Sequence, residues 1–256
     1  MKRIFKVLLV LAIAFTFSSC ARLPVKPTAP GMGLPPEPMQ SIPQFPGQVI
    51  RQDAIHVVAP GETVWRISKM YNVDIKDIVK ANKLNRAKQI KMGHRLRIPN
   101  AAPLQSVVSL YPSKKWKYII IHHSATDVGS ALGFHRHHKT RGFDNGLGYH
   151  FVIDNGTRGK KTGHIEISPR WTKQQNGAHC KAGKMNYRAI GVCLVGNFSK
   201  GRVSKEQMNS LIYLLNRLRK YYKIPKKNIL GHGQVQGART ECPGKNFPWN
   251  DLWRKL

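Results

Sequence analysis

The stretch WKYIIIHHSAT, residues 116–126, decides the fold that this sequence predicts. Its central run from Tyr118 to Ile121 is apolar without interruption, as expected for a strand that is buried on both faces of a sheet. Successive side chains of a strand point to opposite faces, so His122 and His123, which end the run, point to opposite sides. We therefore expect a buried strand with one histidine on each face at its end.

The segments that follow predict the rest of a larger α/β domain. Ser130 can cap a helix through ALGFHRHHKTR, and LGYHFVIDNGTR predicts a strand that runs into an Asn-Gly hairpin turn. AIGVCLVGNF predicts another strand. Ser204 and Gln207 form the capping-box pattern Ser-x-x-Gln, and the apolar stripe after them indicates a helix that faces the core.

A smaller module precedes this domain, at residues 53–100. HVV and RLRIP are strand-like at its two ends, and TVWRISKMY places Val64, Ile67 and Tyr71 on one helical face, which gives the order β-α-α-β. HVVAPGETVWRIS, ANKL and MGHRLRIP together resemble a LysM module. The resemblance implies binding to glycans that contain N-acetylglucosamine, such as peptidoglycan. The alternative is a basic βααβ domain with another ligand.

The first twenty residues have the pattern of a secretory signal. MKRIFK is basic, VLLVLAIAFTF is an apolar run too short to span a bilayer, and SSC places small residues before Cys20. This ending resembles the bacterial lipobox, which implies lipidation of Cys20; an ordinary signal peptide is the alternative. Because residue 22 is Arg rather than Asp, we expect an exported, lipid-anchored protein on the outer membrane, facing the periplasm, of a diderm, or otherwise on the cell surface.

Proline-rich residues 21–52 predict a semi-extended tether, and residues 101–111 predict a second linker.

Composition restricts the partners. The 256 residues carry a formal net charge of +31, which favours an acidic partner such as nucleic acid, anionic lipid or an anionic wall polymer. No aromatic and glycine-rich nucleic-acid motif is present, so we expect no nucleic acid as partner. We expect a monomer.

The last part of the chain raises the question of what Cys242 does. It lies between an acidic residue and a Pro-Gly turn, ten positions after His232. It could be half of a disulfide, a buried thiol or a metal ligand. A strand that ends in histidine, a second histidine in a loop and a cysteine can converge as a site of the kind that zinc hydrolases use, with three protein ligands and one open position. Spacing alone does not decide this, because the residues are far apart in the chain.

The local contexts of these residues resemble a known family. YIIIHHSAT, GYHFVI, IGVCLVGNF and GHGQVQGARTECPGKNFPW, in that order, resemble the zinc-dependent N-acetylmuramoyl-L-alanine amidases, a family that includes phage amidases and peptidoglycan recognition proteins. The resemblance covers residues 112–256 and implies an α/β fold with a mixed central sheet flanked by helices. It implies a zinc ion held by His122, His232 and Cys242, and hydrolysis of the amide between the lactyl group of N-acetylmuramic acid and L-alanine of the stem peptide. The alternatives are a non-catalytic peptidoglycan-binding protein of the same fold and a lipoprotein that attaches structurally to the wall.

The resemblance also implies roles for three residues around the zinc. Tyr149 matches a tyrosine that assists the reaction at the metal, and Thr240 matches a residue near the developing oxyanion, although a hydroxyl that only caps the loop is the alternative. His179 matches a position in the substrate groove. His123 and His150 are interpreted as structural, and the histidines of the helix, at 135, 137 and 138, as outside the site.

Two cysteines are not explained by the zinc site. Cys193 stands where some relatives carry an acidic residue, so a mechanism that needs a carboxylate base there is in doubt. Cys180 and Cys193 are an even pair in a chain that we expect to be exported, which favours a disulfide. Two free buried thiols are the alternative.

Overall fold

The structure, a computed structural model, describes residues 49–256. The expected signal peptide with Cys20 and nearly all of the proline-rich tether lie outside the described residues. The small module has the order β-α-α-β, which confirms the expectation. Its elements are β1 (Gln52–Val57), α1 (Val64–Tyr71), α2 (Ile75–Ala81) and β2 (Arg95–Ala101), and the two strands pair antiparallel.

The larger domain is built on one five-stranded sheet. Its strands are β3 (Tyr118–His123), β4 (Phe151–Ile153), β5 (Ile165–Ile167), β6 (Ala189–Leu194) and β7 (Ile229–Gly231). Their spatial order is β5-β4-β6-β3-β7. All neighbouring pairs are parallel except β4 with β5, so the mixed central sheet is confirmed.

Helices cover both faces of this sheet. They are α3 (Ala131–Thr140), α4 (Pro169–Thr172), α5 (Met185–Arg188), α6 (Lys205–Tyr222) and α7 (Trp249–Lys255). The predicted caps are present: Ser130 accepts the backbone N–H of Gly133, and Ser204 and Gln207 form the capping box of α6. Within residues 49–256, no helix is both long enough and apolar enough to cross a bilayer.

The alternation of side chains along β3 divides the core from the face that carries polar residues. Ile119 and Ile121 lie in the main hydrophobic core together with Leu211 and Leu215 of α6. Ile120 packs on the other face, and His122 follows it there at the end of the strand. Strand β3, which lies between β6 and β7, therefore places His122 on the face of the sheet opposite α6.

The connection between β4 and β5 differs from the sequence-based prediction. Asn155 and Gly156 were expected to form a tight hairpin turn, but the two strands are joined by the longer loop 154–164. Three charged or titratable residues of this loop, Asp154, Lys160 and His164, are buried. The hydrogen bond of Lys160 to Val57, 103 residues away, therefore overrides the local turn signal of Asn-Gly.

The disulfide expected between Cys180 and Cys193 is absent, and both residues are free, buried thiols. Cys180 packs in a cluster with Ala189, the first residue of β6. Cys193 lies four residues further along the same strand, which corresponds to about 13 Å. Disulfides need Cα atoms within roughly 7 Å, so the position of the two residues explains why they do not bridge.

The small module is joined to the larger domain by buried charged side chains. Arg66 of α1 is 5% exposed, and its Nη2 donates to the carbonyl oxygen of Ile165 at 2.8 Å. In the opposite direction, Lys160 Nζ donates to the carbonyl oxygen of Val57 at 2.9 Å. The segment 101–111, expected to be a linker, also contacts the module, since Ala102 N–H donates to the carbonyl oxygen of Tyr71.

Candidate metal centre

Two parallel strands bring the two predicted histidine ligands together. β3 lies between β6 and β7, and Ile121 of β3 pairs with Gly231 of β7. The residue after each of these two is a histidine. His122 and His232 therefore lie side by side at the carboxyl ends of β3 and β7. Their ring centroids are 4.7 Å apart.

The loop after β7 returns Cys242 to the same place. Its backbone is held by two hydrogen bonds: Gly233 N–H donates to its carbonyl oxygen at 2.7 Å, and its own N–H donates to Thr240 Oγ1 at 3.1 Å. Cys242 Sγ lies 3.6 Å from His122 Nδ1 and accepts the backbone N–H of His123 at 3.3 Å. One donor atom from each of His122, His232 and Cys242 lies within 4.8 Å of the other two.

Burial sets the protonation of this group. His122 is 1% exposed and Cys242 is 8% exposed, whereas His232 is only partly buried and leaves the group open on one side. Burial lowers the pKa of His122 well below its ordinary value and also lowers the pKa of His232. Burial raises the pKa of the Cys242 thiol to about 12, although the N–H of His123 acts in the opposite direction. Without a metal, the group consists of two neutral imidazoles and a neutral thiol at pH 7.

These donors fit a zinc ion. Zinc binds neutral imidazole nitrogen and cysteine sulfur, and a site with three protein ligands leaves one coordination position for water or substrate. A bound cation deprotonates a coordinating thiol, so it would reverse the effect of burial on Cys242. No fourth protein donor belongs to this cluster among the residues that the structure describes.

Tyr149 and Thr240 both lie close to this group. The Tyr149 ring centroid is 5.2 Å from that of His122, and burial raises the pKa of its hydroxyl well above the usual range, as do the neighbouring Cys193 and Cys242. Tyr149 and Cys193 are neighbours, and the thiol of Cys193 is one of the groups that raise the pKa of the Tyr149 hydroxyl. Thr240 is exposed and touches the site through its bond to the Cys242 backbone.

His179 lies directly against His122, a contact that the sequence did not indicate. His122 Nε2 and His179 Nδ1 are 3.0 Å apart, and the ring of His179 is buried. The expectation that it lies in a substrate groove stays a prediction. His123 Nδ1 accepts the N–H of Phe198, and His150 Nδ1 accepts the N–H of Gly191, so each of these rings holds a backbone segment.

A second cluster of ligand-type side chains lies elsewhere in the domain. Donor atoms of Asp154, His164 and Glu166 are within 4.8 Å of one another, and all three residues are buried. Lys160 Nζ is 2.8 Å from Glu166 Oε2, so an ammonium group already neutralises one carboxylate of the cluster. These residues are spread over a loop and a strand and follow no motif, which is why the sequence did not point to them.

Comparisons with known proteins agree with the two resemblances. The family model of N-acetylmuramoyl-L-alanine amidase, Amidase_2, matches residues 112–245, and that of the LysM domain matches residues 56–99. No match was found among curated proteins.

Several solved structures are similar to the larger domain. The endolysin N-acetylmuramoyl-L-alanine amidase LysCS from Clostridium intestinale is 34% identical, with a TM-score of 0.47, over 56% of this chain and 84% of that chain. The amidase LysC of the same organism is 32% identical, with a TM-score of 0.47, over 59% of this chain and 95% of that chain. Drosophila PGRP-LB is 24% identical, with a TM-score of 0.41, over 52% of this chain and 78% of that chain. The match over more than half of the sequence shows that this chain belongs to the N-acetylmuramoyl-L-alanine amidase family Amidase_2, with a LysM domain preceding its amidase domain.

Proposed function

We propose that this protein is a zinc-dependent peptidoglycan hydrolase that cleaves the amide between the lactyl group of N-acetylmuramic acid and L-alanine of the stem peptide. One observation carries the proposal. His122, His232 and Cys242 come from three separate parts of the chain, yet their donor atoms converge within 4.8 Å, next to Tyr149.

The three donors would hold the metal, and the sheet would fix its position. His122 stands at the end of β3, between two neighbouring strands, and is almost completely buried, so its ring has little freedom to move. Zinc bound there would supply Lewis acidity, which activates water as a nucleophile near neutral pH and polarises the scissile carbonyl. The partly exposed ring of His232 lies on the side from which a polymer can approach.

Tyr149 would stabilise the charge that develops on the carbonyl oxygen. Because burial and the neighbouring cysteines raise the pKa of its hydroxyl, the phenol stays protonated at neutral pH and can donate a hydrogen bond. Thr240 Oγ1 accepts the N–H of Cys242, which leaves the hydrogen of its hydroxyl to donate outward. Cys193 is buried and its pKa is raised well above the ordinary value by burial, so it is a neutral thiol and cannot replace a carboxylate base.

The remainder of the chain suits an enzyme of the cell envelope. The LysM domain supports binding to the glycan of peptidoglycan, and the net charge of +31 favours a wall that carries carboxylates and phosphates. We further propose export with a lipid anchor at Cys20 and the proline-rich segment 21–52 as tether, which would place the enzyme at the outer membrane of a diderm or at the cell surface. In this proposal the protein acts as a monomer.

Digestion of purified peptidoglycan followed by mass spectrometry tests the reaction. We expect intact stem peptides with a free L-alanine amine, and glycan strands that keep their lactyl groups. The variant Cys242→Ser should lose both bound zinc and product, because the thiolate ligand is removed. Cys180→Ser is the matched control, since it also removes a buried thiol but lies outside the cluster.

Two outcomes would contradict the proposal. Wild-type protein with stoichiometric zinc but no released stem peptide would mean that the chain binds peptidoglycan without cleaving it. Full turnover by zinc-free protein, or by Cys242→Ser, would mean that these residues do not form the reactive centre.

A further inference from the structure

Two hydrogen bonds in series lead from His122 away from the proposed metal position. His122 Nε2 lies 3.0 Å from His179 Nδ1, and His179 Nε2 lies 3.3 Å from the carbonyl oxygen of Ala189 at the start of β6. The other nitrogen of His122, Nδ1, faces Cys242 Sγ at 3.6 Å. The two ring nitrogens of His122 therefore face different partners.

The chemistry of the last acceptor determines where the protons are. A carbonyl oxygen can only accept, so His179 Nε2 carries the hydrogen and its Nδ1 keeps a lone pair. Nδ1 of His179 must then accept a hydrogen bond, which His122 can supply only from Nε2–H. Zinc binds a neutral imidazole, and with the Nε2 hydrogen of His122 directed to His179 its lone pair is on Nδ1, the nitrogen that faces Cys242.

The surrounding backbone restricts the position of the His179 ring. A Cβ atom at Gly177 would lie 2.3 Å from His179 Cδ2, and a Cβ atom at Gly191 would lie 2.4 Å from the same atom. Only glycine at both positions leaves room for the imidazole. The backbone N–H groups of His179 and Cys180 both donate to Asn186 Oδ1 at 2.8 Å, which holds the main chain on this side.

We propose that His179 is a positioning residue that fixes His122 in the tautomer whose Nδ1 lone pair is available to the metal. Metal-binding histidines generally donate their second ring N–H to a neighbouring acceptor, which sets the tautomer and ring orientation. Here the acceptor is a second histidine anchored to β6. The proposal rests on the zinc binding proposed above, and it assigns His179 a role beside the metal ligand rather than in a substrate groove.

Zinc affinity, measured by competition with a chromogenic chelator, tests the role with two variants of one residue. His179→Ala removes the acceptor and should weaken zinc binding about 10- to 100-fold. His179→Asn places Oδ1 at the same number of bonds from Cβ as Nδ1, so it keeps an acceptor for His122 and should keep most of the affinity. His150→Asn is the control, because His150 is also buried near β6 but bonds Gly191 and Gln175 rather than His122.

The tautomer itself can be observed without metal. Nitrogen chemical shifts of the imidazole rings in zinc-free, full-length protein should show that His122 carries its proton on Nε2. This measurement does not depend on the folding of any variant, and it separates the two proposals. Wild-type protein that binds no zinc would refute the proposed function, whereas a proton on Nδ1 of His122, or wild-type zinc affinity in folded His179→Ala, would refute the role of His179.

Discussion

Replacing Arg66 by methionine tests whether the LysM domain and the amidase domain form one folding unit. The guanidinium of Arg66 makes three contacts: Nη1 with Glu62 Oε1 at 2.5 Å, Nε with the carbonyl oxygen of Val107 at 3.1 Å, and Nη2 with the carbonyl oxygen of Ile165 at 2.8 Å. Methionine keeps much of the apolar length of the side chain. It removes all three contacts and leaves a carboxylate in a buried site.

The expected loss of stability depends on the contacts that Glu62 keeps when Arg66 is replaced. Removal of one partner of a buried ion pair costs about 3–5 kcal/mol. Glu62 keeps two donors, His56 Nε2 at 2.8 Å and the N–H of Ala59 at 2.7 Å, so the lower end of that range applies. A loss of about 3 kcal/mol lowers the Tm of a domain of this size by roughly 6–12 °C.

Thermal unfolding followed by circular dichroism, and by turnover after heating, measures this effect. If the two domains unfold together, Arg66→Met should shift one common transition. Arg97→Met is the matched control, because Arg97 also pairs with a carboxylate, Asp53, but at the surface, where ion pairs contribute little. An unchanged transition of the amidase domain, with a separate and lowered transition of the LysM domain, would refute the view that Arg66 joins them.

Three further predictions concern the LysM domain, Tyr149 and His150. Deletion of residues 53–100 should lower the Tm and the turnover of a short soluble muropeptide as well as of sacculi; a domain that only tethers the enzyme would affect sacculi alone. Tyr149→Phe should lower kcat about 10²- to 10³-fold with unchanged zinc affinity, and loss of zinc would contradict its role as a donor. Burial holds the pKa of His150 well below its ordinary value, so folding excludes a proton that the unfolded chain binds below about pH 6.5. The stability of zinc-free protein should therefore be fully present above that pH and fall below it, less steeply in His150→Asn; a Tm that rises on acidification would contradict this.

Local patterns predicted the elements that depend on local interactions. The apolar run before His122 gave β3, and the Ser-x-x-Gln pattern gave the start of α6, since both signals lie within a few residues. The three donors of the candidate metal centre were predicted from their motifs, not from their spacing. Cys242 and His122 meet across 120 residues of sequence, and only the parallel pairing of β3 with β7 explains why His232 joins them.

Contacts between distant charged residues were not predictable in the same way. Arg66 and the carbonyl of Ile165 are 99 residues apart, and a charged residue on a helix is ordinarily exposed to solvent. The Asn-Gly turn failed for a related reason, because Lys160 in the loop donates to the carbonyl oxygen of Val57, which is 103 residues away. The sequence alone therefore did not predict the interface between the domains, because its residues are distant in the chain.

One carboxylate, that of Glu166, connects the interface between the domains to the face of the sheet that carries the candidate metal centre. Glu166 Oε2 pairs with Lys160, whose ammonium also donates to Val57 of the LysM domain, and Glu166 Oε1 accepts the N–H of Ala131 at the first turn of α3. The other end of α3 lies near the candidate metal centre. There His138 Nδ1 accepts the N–H of Gly148, the residue before Tyr149.

The position of Tyr149 thus depends on a helix whose start is fixed by Glu166. Loss of the LysM domain would leave Lys160 without its carbonyl partner and open this buried carboxylate to water, which weakens the interaction that holds the start of α3. For this reason we expect the LysM domain to support the face of the sheet that carries the candidate metal centre, in addition to binding glycan.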